Sequence, residues 1–337
     1  MITGFQHIGI GVYDVDKTYA FWRENLCFKA KLNDHTGYDE QMEPILGDKL
    51  EMRMLMAMNV AGGGAIEIAQ HTSTKPKEPP APLEWGDIGI LDVGVKVFQI
   101  DAVCADLKNR GVEFATPVQR MKLDRGGTVR FAYLRDPDGL LVQLVEDPTG
   151  KRPRVGGVVH VTIGVRDIDR ARDFYAKVLG FDRVLLETDE LTGADMDEIT
   201  GGKKTRMVIL SQPSTLKSAL PVLEPGSVRL VQTPDYSGKP TFEGRRWGDI
   251  GCMEFALDVA DVKSTYDSVV AVGAEPYIPP MHMDMGSGSV GSFAYVKDPD
   301  GNTVEMVEVN KVMFVPPSVM RNVLYWPMKA AARFGLL

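Results

Sequence analysis

Cysteine is scarce, and the three present, Cys27, Cys104 and Cys252, are widely spaced with no CxxC among them. That excludes a disulfide framework and a cysteine-rich zinc site. No apolar run approaches the ~20 residues that cross a bilayer, so no membrane span is expected. The start, MITGFQHIGIGV, lacks a basic stretch leading into an apolar segment and a cleavage site, and reads as no signal peptide. GxGxxG and GxxxxGK[ST] are both missing, which removes the common phosphate-cradling loops. Basic residues are outnumbered, 38 Lys and Arg against 46 Asp and Glu, and the net charge of −8 argues against nucleic acid as a partner. These absences together fit a cytoplasmic protein.

What the chain does have is a long repeat. It has 337 residues, 44% of them hydrophobic, enough for two or more cores. Phe131-Ala-Tyr-Leu-Arg-Asp-Pro-Asp-Gly139 returns as Phe293-Ala-Tyr-Val-Lys-Asp-Pro-Asp-Gly301, 162 positions on, and Trp85-Gly-Asp-Ile-Gly89 returns as Trp247-Gly-Asp-Ile-Gly251 at the same distance. Nearer the start of each half, His7-Ile-Gly-Ile-Gly-Val12 matches His160-Val-Thr-Ile-Gly-Val165, 153 positions on, as does Phe21-Trp22 with Phe174-Tyr175. The second half therefore gains nine residues between about 182 and 225. The reading is two homologous domains, 1–150 and 155–310, joined by Pro148–Pro153 and followed by a tail, 311–337. Each half divides again. A strand through His7 precedes a helix over 15–25 capped by Asp14, with strands ending at 65–69. After the proline-rich 75–82 the plan restarts with a strand over 91–97, a helix over 100–110 stopped by Gly111, and a strand over 141–145. Asp136-Pro-Asp-Gly139 is a turn in which Pro presets φ and Gly takes the positive-φ place. The fold class is α+β: four βαβββ modules paired into two domains, each a curved sheet around a cup.

Strand side chains alternate between faces. His7, Gly9 and Gly11 oppose Ile8, Ile10 and Val12; Asp92, Gly94 and Lys96 oppose Val93, Val95 and Val97; Glu67 opposes Ile66 and Ile68. In the second half His160, Thr162 and Gly164 share one face, as do Glu254, Ala256 and Asp258. Small residues on that face make a hollow, and each strand sets one polar anchor in it. The anchors are His7, Glu67, Asp92 and Gln143 in the first half, and His160, Arg229, Glu254 and Glu305 in the second. Converging nitrogen and oxygen donors suit a hard or borderline divalent metal. Taken singly, each is more often a hydrogen-bonded histidine or a solvated carboxylate.

The H-I-G-I-x-V strand, the F-W/F-Y helix and the Y-x-x-D-P-D-G-x-x-x-E/Q ending resemble the vicinal oxygen chelate superfamily, which includes glyoxalase I, methylmalonyl-CoA epimerase, fosfomycin resistance proteins and extradiol dioxygenases. The resemblance spans about 300 of the 337 residues. It implies paired modules curling around a divalent metal (Fe, Mn, Zn, Ni, Co or Mg) held by residues of first and last strands. Two arrangements follow. Either the first half binds metal through His7, Glu67, Asp92 and Gln143 while an Arg229–carboxylate pair replaces metal in the second, or the second half binds it through His160, Glu254 and Glu305 and the first is structural. The second is the working expectation, because Glu305 keeps the carboxylate that Gln143 lacks. The implied function is a metal-dependent isomerase, epimerase or lyase acting on a small oxygenated, enolisable substrate, with Glu254 or Glu67 moving the proton and Arg229 holding a carboxylate or a substrate anion. An Fe(II) extradiol-type dioxygenase and a metal-free binding or resistance protein are the alternatives.

Arg120, Lys122, Arg125 and Arg130 read as a basic loop over the cup, fitting either an anionic substrate or plain solvation. Pro280–Gly288 reads as a Met- and Gly-rich lid carrying His282. His35 and His71 are off the anchor positions and read as structural. The tail has Lys311, Arg321, Lys329 and Arg333 with several apolar side chains and no acid, so it needs a surface, on these domains or across a homodimer.

Overall fold

The computed structural model describes all residues except 125, 190–195, 214–216, 219, 287–288, 312–314, 316 and 335–337. The first module is β1 (Ile2–Gly11), α1 (Val15–Asn25), β2 (Ala30–Tyr38), the short α2 (Glu43–Leu46), β3 (Glu51–Met58) and β4 (Ala65–His71). The second is β5 (Gly89–Phe98), α3 (Ile100–Asn109), β6 (Gln119–Lys122), β7 (Thr128–Arg135) and β8 (Leu141–Glu146). The third is β9 (Arg154–Gly164), α4 (Ile168–Lys177), β10 (Arg183–Thr188), the short α5 (Asp197–Thr200), β11 (Arg206–Ser211) and β12 (Ser227–Gln232). The fourth is β13 (Gly251–Val259), α6 (Val262–Ala271), β14 (Glu275–Gly286), β15 (Ser289–Lys297) and β16 (Thr303–Lys311). The expected order, β-α-β-β-β four times, is present.

Helix α1 starts where Asp14 accepts from the Lys17 backbone N–H at 3.1 Å. It buries Val15, Thr18, Tyr19 and Trp22, a stripe at helical spacing. Helix α3 ends at Asn109, with Arg110 as its cap before Gly111, whose φ of +84° suits glycine at a helix stop. The nine extra residues of the second half fall in one place. β2 to β3 spans 30–58 and β10 to β11 spans 183–211, equal lengths, whereas the β3–β4 link is 59–64 and the β11–β12 link is 212–226.

The strands form two eight-stranded sheets, ordered β14-β15-β16-β13-β1-β4-β3-β2 and β10-β11-β12-β9-β5-β8-β7-β6. Modules one and four share the first sheet; modules two and three share the second. This corrects the expectation that each half of the chain closes its own cup. The cause lies in the connections. β8 ends with Glu146 beside Val97, and β9 begins with Arg154 beside Phe98, so the short turn 147–153 leads straight back along the free edge of β5. Short links favour neighbouring strands. The longer crossover 72–88 carries the chain away from β4, leaving β1 free to take β13 as its antiparallel partner.

Within each half the two modules are instead tied through a helix and a turn. Asp136 of the first Asp-Pro-Asp-Gly turn accepts from the Trp22 indole at 3.3 Å and from the backbone N–H groups of Asp138 and Leu140. Asp298 of the second accepts from the Tyr175 hydroxyl at 2.8 Å and from the N–H groups of Asp300 and Asn302. The helix-facing sides of both sheets share one continuous apolar core, with Trp22, Phe28, Tyr175, Phe181 and Phe255 fully buried in it.

Two sequence expectations change. Residues 275–286 form strand β14, not a loop lid, and His282 there meets the Ser292 hydroxyl at 2.7 Å. Arg120 and Lys122 lie on β6, and Arg130 on β7 pairs with Asp101 and Glu146, so its charge is spent on the protein. Arg125 lies outside the described residues. His71 is buried 3.6 Å from Asp249, and His35 is on the exposed β2. In the tail, 317–334 is helical; Met320 and Tyr325 are buried, while Val323 and Trp326 face outward. Phe314 and Leu336 are outside the described residues. No helix among the described residues is long and apolar enough to cross a membrane.

Candidate metal centre

The concave face of the first sheet gathers His7 of β1, Glu67 of β4, Glu254 of β13 and Glu305 of β16. The register explains why. Gly9 sits between Glu67 on one side and Glu254 on the other, and Ala256 sits between His7 and Glu305. A β-carbon at Gly9 would lie 2.9 Å from Glu254 Cγ and Oε1, so this position needs glycine. The bulge at Met253 turns both Met253 and Glu254 into the cup. His7 Nε2 stands 3.4 Å from Glu67 Oε2, 4.0 Å from Glu254 Oε1 and 3.1 Å from Glu305 Oε2. One donor atom each from His7, Glu67 and Glu254 lies within 4.8 Å of the others.

The surroundings hold these groups in place. His7 Nδ1 donates to Gln6 Oε1, which directs Nε2 into the cup. The Trp247 indole donates to Glu254 Oε1 at 2.8 Å. Tyr295, beside Glu305 on the next strand, bonds to its carboxylate. Apolar side chains close the rest, among them Met52, Met54, Met253 and Phe293, with Ile45 and Leu46 of α2 over them. Burial pushes Glu254 up to about 7, and Glu305 is raised for the same reason. Burial pulls His7 down, but the facing carboxylates, Glu305 first, outweigh it and hold its proton well above the usual imidazole range.

This donor set fits a divalent cation. Glu254 Oε2 is buried with no hydrogen-bond partner, and His7 Nε2 and Glu305 Oε2, 3.1 Å apart, have only each other and the facing carboxylates. Among the described residues no lysine or arginine pairs with Glu67, Glu254 or Glu305. Buried carboxylates in that number need a cation or protons to balance them.

The other cup has the same four places filled differently. His160, Arg229, Asp92 and Gln143 stand where the first has His7, Glu67, Glu254 and Glu305. Arg229 donates to the Tyr133 hydroxyl at 2.7 Å and to Gln143 Oε1 at 3.0 Å, and lies 3.7 Å from Asp92. Gln143 Nε2 donates to Tyr133, and Tyr133 donates to Asp92. His160 is engaged by Ser227 at 2.9 Å and Thr162 at 3.3 Å, and burial, with Arg229 nearby, keeps it well below the usual imidazole range. A fixed guanidinium thus stands in the middle of this set, where the first cup has the carboxylate of Glu67.

The eight anchors read from the sequence are thus all buried or half-buried on cup faces, but sorted otherwise than expected. Neither His7–Glu67–Asp92–Gln143 nor His160–Glu254–Glu305 is a cluster. Arg229 faces Asp92 and not Glu254, so it has no part in the centre where it was expected to act. Tyr133, Tyr295 and Trp247 were missed, although all three lie in the repeated Phe-Ala-Tyr and Trp-Gly-Asp-Ile-Gly motifs.

The family model of the Glyoxalase/Bleomycin resistance protein/Dioxygenase superfamily matches residues 4–144 and again 157–306. The chain belongs to this superfamily. It is 24% identical over 314 residues to a lactoylglutathione lyase of Schizosaccharomyces pombe, covering 90% of this chain and 95% of that one. A point variant of glyoxalase I from Zea mays has the same fold at a TM-score of 0.60 and 18% identity, covering 91% of this chain and 94% of the other. A putative dioxygenase from Bacillus subtilis superposes at 0.58 with 14% identity, covering 100% and 97%. The glyoxalase-type fold therefore accounts for both sheets.

Proposed function

We propose that the protein is a divalent-metal-dependent lyase or isomerase acting on a small substrate with neighbouring oxygens, and that its working centre is His7, Glu67, Glu254 and Glu305. The observation carrying this reading is that three carboxylates face one imidazole in a buried, largely apolar cup with no arginine or lysine among the described residues to neutralise them. The likeness to a lactoylglutathione lyase supports the reaction class. A divalent cation held there supplies Lewis-acid stabilisation of charge developing on a substrate oxygen.

The chain's own residues do the rest. Met52, Met54 and Phe293 exclude water. Trp247 fixes one oxygen of Glu254. Glu67 is the member of the set with the most access, its side chain 16% exposed against 0% for Glu254, and it carries no other hydrogen bond among those described. It is the group to take a proton from a substrate carbon and return it to the neighbouring one. The single imidazole departs from the two histidines of non-haem iron oxygenases, so ring cleavage has less support.

The test is metal analysis of protein purified without chelators, then stripping and reloading with Mg, Mn, Fe, Co, Ni or Zn, and turnover on hydroxy and keto compounds including lactoylglutathione. Metal uptake lost in His7→Ala, with turnover restored by one of these ions, is expected. Failure to take up any of them overturns the reading.

A further inference from the structure

A cavity of about 360 Å³ opens where the crossover 233–248 meets the start of β13. It holds more cationic charge than the protein neutralises. Arg166 is answered by Asp300 at 3.0 Å, and Lys297 lies over the Tyr277 ring at 4.6 Å. Arg245 pairs with no carboxylate among the described residues. One of its nitrogens donates to the Thr241 carbonyl at 2.6 Å and its plane lies over Phe242, but Nε and Nη2 are buried without a partner. Arg246 reaches Asp48 only at 3.9 Å, and its Nε is buried without a partner. Asp249, whose charge acts on Arg245, is already used by the backbone N–H groups of Lys77 and Arg246, and Glu243, the cavity's other acid beside Asp300, is exposed and pairs with neither guanidinium among the described residues. Buried guanidinium N–H groups left unmade are costly and call for a ligand.

The cavity adjoins the metal centre through one side chain. Trp247 lines it and donates to Glu254. The pair is also specific to this cup: 162 positions earlier, beside the cup that Arg229 fills, the sequence has Leu83-Glu84 in place of Arg245-Arg246.

We infer that this cavity is a carboxylate-binding subsite, with Arg245 and Arg246 as its ligands and Phe242 and Trp247 as its apolar wall, and that the substrate of the adjoining centre is an acid. The inference rests on the proposed function for its second half alone. A planar carboxylate matches the fork of a guanidinium, and the cavity volume suits a small organic acid.

The experiment uses the full chain stripped of metal, titrated calorimetrically with 3-phenylpropionate and with its neutral amide. The acid is expected to bind at least about tenfold more tightly than the amide, a difference set by charge-assisted bonds. Arg245→Gln is expected to remove that preference while metal uptake stays as in the parent; Arg246→Gln, a check should the first variant misfold, is expected to reduce it. Equal binding of acid and amide by the parent overturns the inference, as does full preference kept by both variants. If the protein binds the acid but takes up no metal, the subsite stands and the metal reading falls. If it takes up metal and turns over neutral compounds while ignoring acids, the reverse holds.

Discussion

At Gly9 the chain leaves out a side chain so that two carboxylates can flank one strand. Gly9→Ala would put a β-carbon 2.9 Å from Glu254. The carboxylate has to move, at a cost of ~1–3 kcal/mol for overpacking, and metal uptake should drop even where the thermal midpoint falls only modestly; calorimetric metal titration beside a melt separates the two. Trp247→Phe keeps the ring and removes the donor to Glu254. Loss of such an outer partner costs roughly 10–100-fold in metal affinity, and parent-like affinity would show that the indole does not orient the ligand. In the second cup, His160 is buried neutral. Its folded pKa is depressed, so below about 6.5 the unfolded chain takes up a proton that the folded chain refuses. Its contribution is intact above that value and falls, by at most ~1.4 kcal/mol per pH unit, as the solution is acidified. His160→Asn should therefore flatten the loss of stability between pH 7 and 5 in urea melts, and an unchanged slope would remove His160 as its source. Eight anchors were legible because alternation on a strand is a local property. Tyr133 and Tyr295 were not read because an aromatic on an alternating strand looks like core, and both are core and hydrogen-bond partner at once.

At the scale of elements, the Asp-Pro-Asp-Gly turn proves to be more than a turn. Its first aspartate is a buried receptor for the helix of the partner module, Trp22 in one half and Tyr175 in the other. Tyr175→Phe keeps the packing and leaves Asp298 with one donor fewer. A loss of about 1–3 kcal/mol is expected in denaturant melts, with metal content unchanged because the turn lies outside the cup. Where the sequence reading failed, the failure has a structural reason. Pro280–Gly288 looked like a lid because Pro and Gly punctuate it, yet Pro at a sheet edge is tolerated, and β14 is the edge strand of its sheet. The added residues could be bracketed from the repeat only by matching landmarks. The structure assigns them to the β11–β12 link, which reaches across to modules one and two: Glu224 meets Lys96 of β5, its carbonyl accepts from the Phe5 backbone N–H of β1, and Leu223 packs near Met58 and Ala65.

At the scale of the molecule, the decisive fact is which modules share a sheet. The repeat could not show it, since anchors that recur in the same order in both halves, the last three at the same spacing, are compatible with pairing within a half or across halves. The lengths of the links 72–88 and 147–153 carried the information. Exchange across halves gives each cup two anchors from each half, and it lets the cups diverge. One keeps four donor side chains and, among the described residues, no arginine or lysine. The other has its cation built in as Arg229, already bonded to Tyr133 and Gln143. If that guanidinium is what keeps metal out, its removal with restoration of carboxylates should reverse the loss. Arg229→Glu combined with Gln143→Glu would give the second cup, with His160 and Asp92, the donor types of the first. The double variant is expected to take up a second equivalent of metal by elemental analysis. Arg229→Glu alone should fold less stably, because Asp92 then faces another acid with no cation between them. If the double variant gains stability from added Mn or Zn, by the mass action of a ligand that binds only the folded state, the two cups differ by these side chains and not by their backbones; if it takes up no more metal than the parent, the difference lies in the shape of the second sheet.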